Sequence, residues 1–284
     1  MSWKGRDALL WTDIHASRLW IHDAAGTRWL SLPGRLASFA PCASGNRPLG
    51  LATGLFAADG AVVASAPDGS MLPVTWLADV ERDMTATRLN DGRTDRDGNF
   101  VFGTMNEEEG HAPIGSFYQW STQHGLRRLD LPLAGIANSI AFSPGGETMY
   151  FCDSPTRRIM QCRYDSTAAG VSDVRTFATL ANDEGEPDGS IVDAEGCLWN
   201  AAWGSGMVRR YRPDGTVERA ILIPAKNPTC PVFGGASMQE LFVTTARQGM
   251  TAAELERVPE AGGIYRARID DVPGLADTPF DDVR

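Results

Sequence analysis

The segment 88–105 holds the densest set of chemically capable side chains in the chain. Arg88, Asn90 and Asp91 crowd a guanidinium, an amide and a carboxylate together, Asp95 and Asp97 follow, and Asp97-Gly98 turns into the apolar run Phe100-Val101-Phe102. Such a loop can hold a hydroxylated ligand or a cation over a rigid sheet. Guanidinium and amide groups donate to hydroxyls, while carboxylate and amide oxygens suit hard cations. Two later residues share its register: Asn90, Asn138 and Asp188 are 48 and then 50 residues apart, each just before an apolar strand. One matching position is accidental; three argue for a shared site.

Each of these residues also has a duller reading. Pro187-Asp188-Gly189 and Asn90-Asp91-Gly92 are ordinary turn sequences. Asn138 suits a left-handed turn position, Arg88 a surface cation, and Glu107-Glu108-Glu109 a solvated acidic loop. The histidines His15, His22, His111 and His124 show no metal-ligand spacing; His15 and His22 fall at strand edges, and His111 lies where it can touch a substrate. No G-x-S-x-G elbow, phosphate-cradling loop or dinucleotide fingerprint occurs, so serine-nucleophile and nucleotide chemistry are unsupported. Trp120, Trp199 and Trp203 read as core or channel-lining bulk.

The elements that must carry these residues are short strands. Asp95-Arg96-Asp97-Gly98, Ser143-Pro144-Gly145-Gly146, Asp193-Ala194-Glu195-Gly196 and Gly234-Gly235 each precede an apolar run rich in β-branched and aromatic residues, as hairpin turns do. Asp59-Gly60 before Ala61-Val62-Val63-Ala64 is read the same way. The turn glycines Gly98, Gly146, Gly196 and Gly235 are separated by 48, 50 and 39 residues. A period of about 40–50 residues, each holding several strands, is the signature of propeller blades. The 284 residues divided by six leave about 47 per blade. The fold expected is all-β, a six-bladed propeller with about four strands per blade, formed by residues 1–284 as a single domain. A two-sheet sandwich is the alternative, but it does not explain the recurrence. Residues 251–258 fit one or two helical turns ended by Pro259. In a propeller, loops entering the innermost strands converge on the mouth of a central channel, which would gather Asn90, Asn138 and Asp188.

Bulk properties narrow the function. A net charge of −10 argues against a nucleic-acid surface, and no apolar run reaches the roughly 20 residues of a membrane helix. Five scattered cysteines without a C-x-x-C pair read as buried reduced thiols of a cytoplasmic protein.

The chain resembles the senescence marker protein (regucalcin) and gluconolactonase family of six-bladed propellers. The likeness rests on Arg88-Leu89-Asn90-Asp91-Gly92 with Gly103-Thr104-Met105, on Ala137-Asn138-Ser139-Ile140, and on Pro187-Asp188-Gly189 with Asp193-Ala194-Glu195-Gly196. Cys230-Pro231-Val232-Phe233-Gly234-Gly235 and Glu260-Ala261-Gly262-Gly263-Ile264-Tyr265 complete the ordered set. The resemblance implies metal-dependent hydrolysis of a sugar lactone. One divalent cation (Ca²⁺, Mg²⁺, Mn²⁺, Zn²⁺ or Fe²⁺) would be held by Asn138 and Asp188, with Asp188 also the general base. It further implies that Arg88, Asn90, Asp91 and Glu108 contact the sugar or a metal-bound water. The partner expected is a small sugar lactone, bound by a monomer or weak dimer.

One departure stands out. The family's metal-binding Glu of the first blade precedes the strand matched by residues 9–14, and the chain begins about where that residue should fall. Neither Asp7 nor Asp13 is an assignable replacement. Either the true start lies upstream of Met1 or the metal loses a charged ligand, and the second case leaves a non-catalytic propeller that binds a metal or ligand as an alternative. Fold similarity separately leaves open an esterase or phosphotriesterase on the same scaffold.

Overall fold

The computed structural model describes residues 2–3, 6–42 and 44–282. A short hairpin, β1 (Ser2–Trp3) and β2 (Arg6–Asp7), comes first, and six small sheets follow in chain order. The first holds β3 (Leu9–Asp13), β4 (Arg18–Asp23) and β5 (Gly26–Ser31). The second holds β6 (Leu36–Phe39), β7 (Arg47–Leu51), β8 (Gly54–Ala58) and β9 (Thr75–Asp79). The third is β10 (Thr87–Thr94), β11 (Phe100–Asn106), β12 (Phe117–Ser121) and β13 (Gly125–Arg128). The fourth is β14 (Ala137–Phe142), β15 (Thr148–Asp153), β16 (Arg158–Asp165) and β17 (Gly170–Thr179). The fifth is β18 (Glu186–Val192), β19 (Leu198–Trp203), β20 (Met207–Tyr211) and β21 (Val217–Leu222). The sixth is β22 (Pro228–Gly234), β23 (Glu240–Thr245) and β24 (Ile264–Arg268). In each sheet every strand pairs with the next, and the six are the blades of a β-propeller. Four blades have the expected four strands; the first and last have three among the described residues.

Two compact units divide the chain: Met1–Ala137 with Arg163–Ser172 and Asp277–Arg284, and Asn138–Cys162 with Asp173–Ala276. In the first unit, Phe100, Phe102, Leu55, Leu89 and Phe280 form one buried cluster. Phe102 stacks on Phe100 and on Tyr118 at 5.6 Å in both cases. Every residue of β11 is buried, which is why its sequence runs apolar without the alternation of a one-sided strand. The segment 277–282 straps this unit. Asp277 pairs with Arg93 at 2.5 Å, the Phe280 amide donates to Pro41 O, and the Asp281 amide donates to Gly98 O. In the second unit, Trp199, Phe233, Leu241 and Val243 centre one cluster, and Tyr150, Phe177 and Tyr211 another. Fourth strands are partly exposed and carry charge: β13 ends in Arg127-Arg128 and β21 carries Glu218-Arg219. Charges there discourage pairing of sheet edges with other chains.

Residues 61–64 do not form the expected strand. They lie in a helix, α1 (Gly60–Ser65), because the Asp59 carboxylate accepts the Ala61 and Val62 amides and caps a first turn where a hairpin was expected. Val63 is its buried anchor. The second helix, α2 (Ala252–Arg257), falls inside the expected 251–258. It opens on a reciprocal box in which Thr251 Oγ1 accepts the Glu254 amide and Glu254 accepts the Thr251 amide. No helix of the described residues is long and apolar enough to cross a membrane. None of the five cysteines is in a disulfide; four are buried, as expected, while Cys230 is only partly so, and burial pushes the Cys162 thiol up to about 12. The departure expected at the amino end falls at Met1, outside the described residues.

Candidate functional site

Asn90 and Asp188 do not precede their strands, nor do they sit in turns; each lies inside the first strand of its blade, at a bulge. In β10, Leu89 pairs with Thr104 and Gly92 with Phe102, so Asn90 and Asp91 together face Gly103. In β18, Pro187 pairs with Ala202 and Ser190 with Asn200, so Asp188 and Gly189 face Ala201. Two residues against one leaves a residue outside the ladder and re-aims its side chain. A turn-forming sequence here serves a bulge because both flanks continue as paired strand. In β22 the same shift falls between Pro228 and Pro231, so Thr229 and Cys230 face Thr244.

In the second unit the two expected metal ligands are linked through one hydroxyl. Asn138 is buried, and its Nδ2 donates to Ser154 Oγ at 2.9 Å. Ser154 Oγ in turn donates to Pro187 O at 2.7 Å, one residue before Asp188. That bond orients the Asn138 amide, with its nitrogen on Ser154 and its oxygen on the opposite side. On the other side of Asp188, its carbonyl accepts Ser139 Oγ at 2.5 Å and Asn200 Nδ2 at 3.0 Å. The Asp188 residue is half-buried while Pro187, Gly189 and Ser190 around it are buried. Gly189 is required by close approach: a Cβ there would sit 2.9 Å from Thr229 O and 3.0 Å from both Cα and Sγ of Cys230. The Thr229 backbone thus borders the bulge at Gly189, and its Oγ1 lies 2.6 Å from Thr244 Oγ1. The left-handed position expected of Asn138 is taken by the next residue, Ser139, at φ +59°.

The first unit holds the residues expected to contact a sugar. Arg88 is buried; its Nη1 donates to Leu89 O at 2.8 Å and to Asn90 Oδ1 at 3.0 Å, and Asn90 Nδ2 donates to Ala137 O at 3.0 Å. Asp91 Oδ1 accepts the Gly92 amide at 2.9 Å. Glu108, the other residue expected at the sugar, is exposed, and its amide donates to Asn106 Oδ1 at 3.0 Å. Arg88 itself meets Glu107, 3.0 Å from Arg88 Nε and gripped by both terminal nitrogens of Arg35 at 2.6 Å. The Arg35 hydrogen bonds hold the Glu107 carboxyl below the usual glutamate range against a smaller effect of burial. Burial, opposed by Glu107, lowers the Arg88 guanidinium. His111 packs into this loop, its Nδ1 2.7 Å from Asn106 O.

Asn90, Asn138, Asp188 and Arg88 were visible as residue types at a spacing. Arg35, Ser154, Asn200 and Thr229 join the site from the structure alone, and Glu107, read from sequence as part of a solvated acidic loop, pairs with Arg88 and Arg35. Thr229 carried a usable signal, since Pro228-Thr229-Cys230-Pro231 precedes Gly234-Gly235 as Pro187-Asp188-Gly189 precedes Gly196; the others have no local pattern. Among the described residues no three His, Cys, Asp or Glu side chains gather as a metal cluster. The expected ligands of the second unit supply one carboxylate, Asp188, and one amide oxygen, Asn138.

Residues 1–247 match the family model described as the SMP-30/Gluconolactonase/LRE-like region. The chain is 43% identical over 267 residues to an L-arabinolactonase of Azospirillum brasilense, covering 92% of this chain and 84% of that one. It is 35% identical over 212 residues to regucalcin of Xenopus laevis, covering 73% and 71%. Among solved structures, a calcium-binding protein, regucalcin, from Agrobacterium tumefaciens superposes with a TM-score of 0.86 at 30% identity, over 96% of this chain and 90% of that one. The chain belongs to the SMP-30/gluconolactonase/LRE-like family.

Proposed function

We propose that this protein hydrolyses a sugar lactone, opening an aldonolactone to its aldonic acid, with Asp188 as general base. The observation that carries the reading is the β18 bulge, which takes Asp188 out of the ladder while its neighbours hold the peptides on both sides. The relation to the A. brasilense L-arabinolactonase supports a pentonolactone as the first substrate to test. In the reaction, water adds to the lactone carbonyl carbon as an Asp188 carboxylate oxygen takes one of its protons; the ring C–O bond then breaks, Asp188 passes that proton to the ring oxygen to leave a hydroxyl, and the new carboxylic acid gives its proton to solvent. General-base assistance of this kind contributes about 10²–10⁴-fold.

Asn138 and Asp188 fit a hard divalent cation by donor type, and their backbone neighbourhood is rigid. Such a cation, when bound, would polarise the lactone carbonyl and offset its developing negative charge. Asn138 would orient that ion through its amide oxygen, with Ser154 setting the amide plane. Arg88, Asn90, Asp91 and Glu108 are assigned to sugar hydroxyls by the family resemblance. Glu107 is added because it fixes the Arg88 guanidinium.

The test is a pH-stat assay of the purified full chain on L-arabinono-, D-xylono- and D-glucono-lactones, with Ca²⁺, Mg²⁺, Mn²⁺ or Zn²⁺ and after chelation. The proposal expects turnover well above the spontaneous rate that chelation removes and a divalent ion restores. Metal binding without turnover on any lactone would favour the non-catalytic reading, and turnover confined to simple esters or phosphotriesters the third.

A further inference from the structure

We infer that Ser139 and Asn200 are positioning residues that lock the Asp188 peptide, and through it the carboxylate, in its working orientation. This rests on the reading of Asp188 as ligand and base.

Two unfavourable features lie side by side here, and both serve the same carbonyl. Ser139 is fully buried and holds φ +59°, a region that residues with a Cβ avoid and glycine occupies freely. A glycine would relieve that strain, yet the position keeps a hydroxyl, which donates to Asp188 O at 2.5 Å. Asn200 is also fully buried, in a strand whose neighbours Trp199, Ala201 and Ala202 are apolar. Its Nδ2 lies 2.9 Å from Ser139 Oγ, 3.0 Å from Asp188 O, 3.0 Å from Ser190 Oγ and 3.5 Å from Gly189 O. Two carbonyls among those acceptors fix which end of the amide is nitrogen, and Asn200 Oδ1 is left buried with no partner. An apolar residue would avoid that orphan, which is the kind of buried polar group that requires a reason.

The bulge supplies the reason. Between the Pro187 and Ser190 pairs the ladder does not fix Asp188 and Gly189. Ser139 and the Asn200 amide hold the Asp188 carbonyl in its place, and Asn200 also reaches the Gly189 carbonyl and the Ser190 hydroxyl. A peptide plane held at its carbonyl restricts the rotation that would swing the attached Asp188 side chain. Ligands and bases need such support to stay within a fraction of an ångström of productive geometry.

The experiment compares Ser139→Gly and Asn200→Ala with the unaltered full chain. Three quantities are read: Mn²⁺ affinity by calorimetry, the melting temperature of the metal-free protein, and kcat and KM on a pentonolactone. Ser139→Gly is the discriminating variant because it removes strain and the hydroxyl together. Its metal-free melting temperature should hold or rise, while Mn²⁺ affinity and kcat each fall about 10–100-fold with KM little changed. Asn200→Ala should show the same losses. Both variants binding Mn²⁺ and turning over within about twofold of the parent would overturn the inference. A crystal structure of each variant separates this from the lactonase reading: a parent that neither binds Mn²⁺ nor opens a lactone sinks that reading. The brace is then judged by the Asp188 peptide, supported if it is displaced or doubled and refuted if it is unmoved.

Discussion

Asp188 and Asp193 stand five residues apart, and the two ends of β18 treat a carboxylate in opposite ways. Asp193 has no exposed surface. Its Oδ1 accepts the Glu195 and Cys197 amides, both at 3.0 Å, and its Oδ2 accepts Trp199 Nε1 and Arg210 Nε, both at 2.8 Å. Those bonds use its acceptor capacity to close the hairpin to β19 and to neutralise a buried arginine. Asp188 is half-buried, and the bonds to Ser139 and Asn200 run to its main-chain carbonyl. The third blade repeats the contrast at the same offset: Asn90 and Asp91 lie on the bulge, while Asp95 is buried and accepts the Asp97 and Asn99 amides at 3.0 and 2.9 Å and Tyr164 OH at 2.8 Å. Ser143 takes the Asp95 role in the fourth blade, its Oγ accepting the Thr148 amide at 3.1 Å. A carboxylate whose side chain is saturated by its own fold builds the fold. Asp188, held through its main chain at a bulge, is the one proposed for chemistry.

Substituting each member of the pair separates the two roles. Asp188→Ala should lower kcat by about 10³-fold with the melting temperature nearly unchanged; lactone turnover close to that of the parent would remove Asp188 from the mechanism. Asp193→Ala should do the reverse, costing about 3–5 kcal/mol of stability in urea unfolding, because the buried Arg210 keeps only the more exposed Glu195 and Glu218 while two backbone amides and the Trp199 indole lose their buried acceptor. Protein that still folds should keep near-parental kcat per active site, and a stability loss under about 1 kcal/mol would contradict the assignment of Asp193 to the fold.

Exposed carboxylates should matter least and show in pH dependence. The Lys226 hydrogen bond, helped by Thr251, lowers the Glu254 carboxyl from its ordinary 4.5 to about 2. Its folded value lies below its unfolded value, so its contribution is present above about pH 4.5 and is lost as pH falls towards 2. Glu107 has the same sign, through Arg35 first. Melting temperatures between pH 6 and pH 3 should therefore fall less steeply in Glu254→Gln than in the parent, and an identical slope would discount the α2 capping interaction.

Much of this was legible from residue types and spacing because propeller blades repeat a local device. The Asp95-to-Asn99 and Asp193-to-Cys197 turns are each closed by a carboxylate on amides two and four residues ahead, so their signature lies within one short window of sequence. Asp59-Gly60 shows the limit of such windows. An aspartate before an apolar run caps a helix as readily as it opens a hairpin, and burial of Val63 among Leu30, Leu49 and Leu72 accompanies the helical outcome. Asn-Asp-Gly and Pro-Asp-Gly likewise favour a tight local conformation, but whether it becomes a turn or a bulge depends on whether the partner strand continues past it.

Composition and turn periodicity by themselves determined an all-β chain of six repeated sheets and put Asn90, Asn138 and Asp188 in one register, since hydrophobic runs and turn chemistry are properties of neighbouring residues. The Glu107 carboxylate on Arg88, the left-handed Ser139 and the buried Asn200 amide were decided only by tertiary structure. Their partners lie 19, 49 and 12 residues away, and a hydrogen bond across such a gap leaves no pattern in the sequence between its ends.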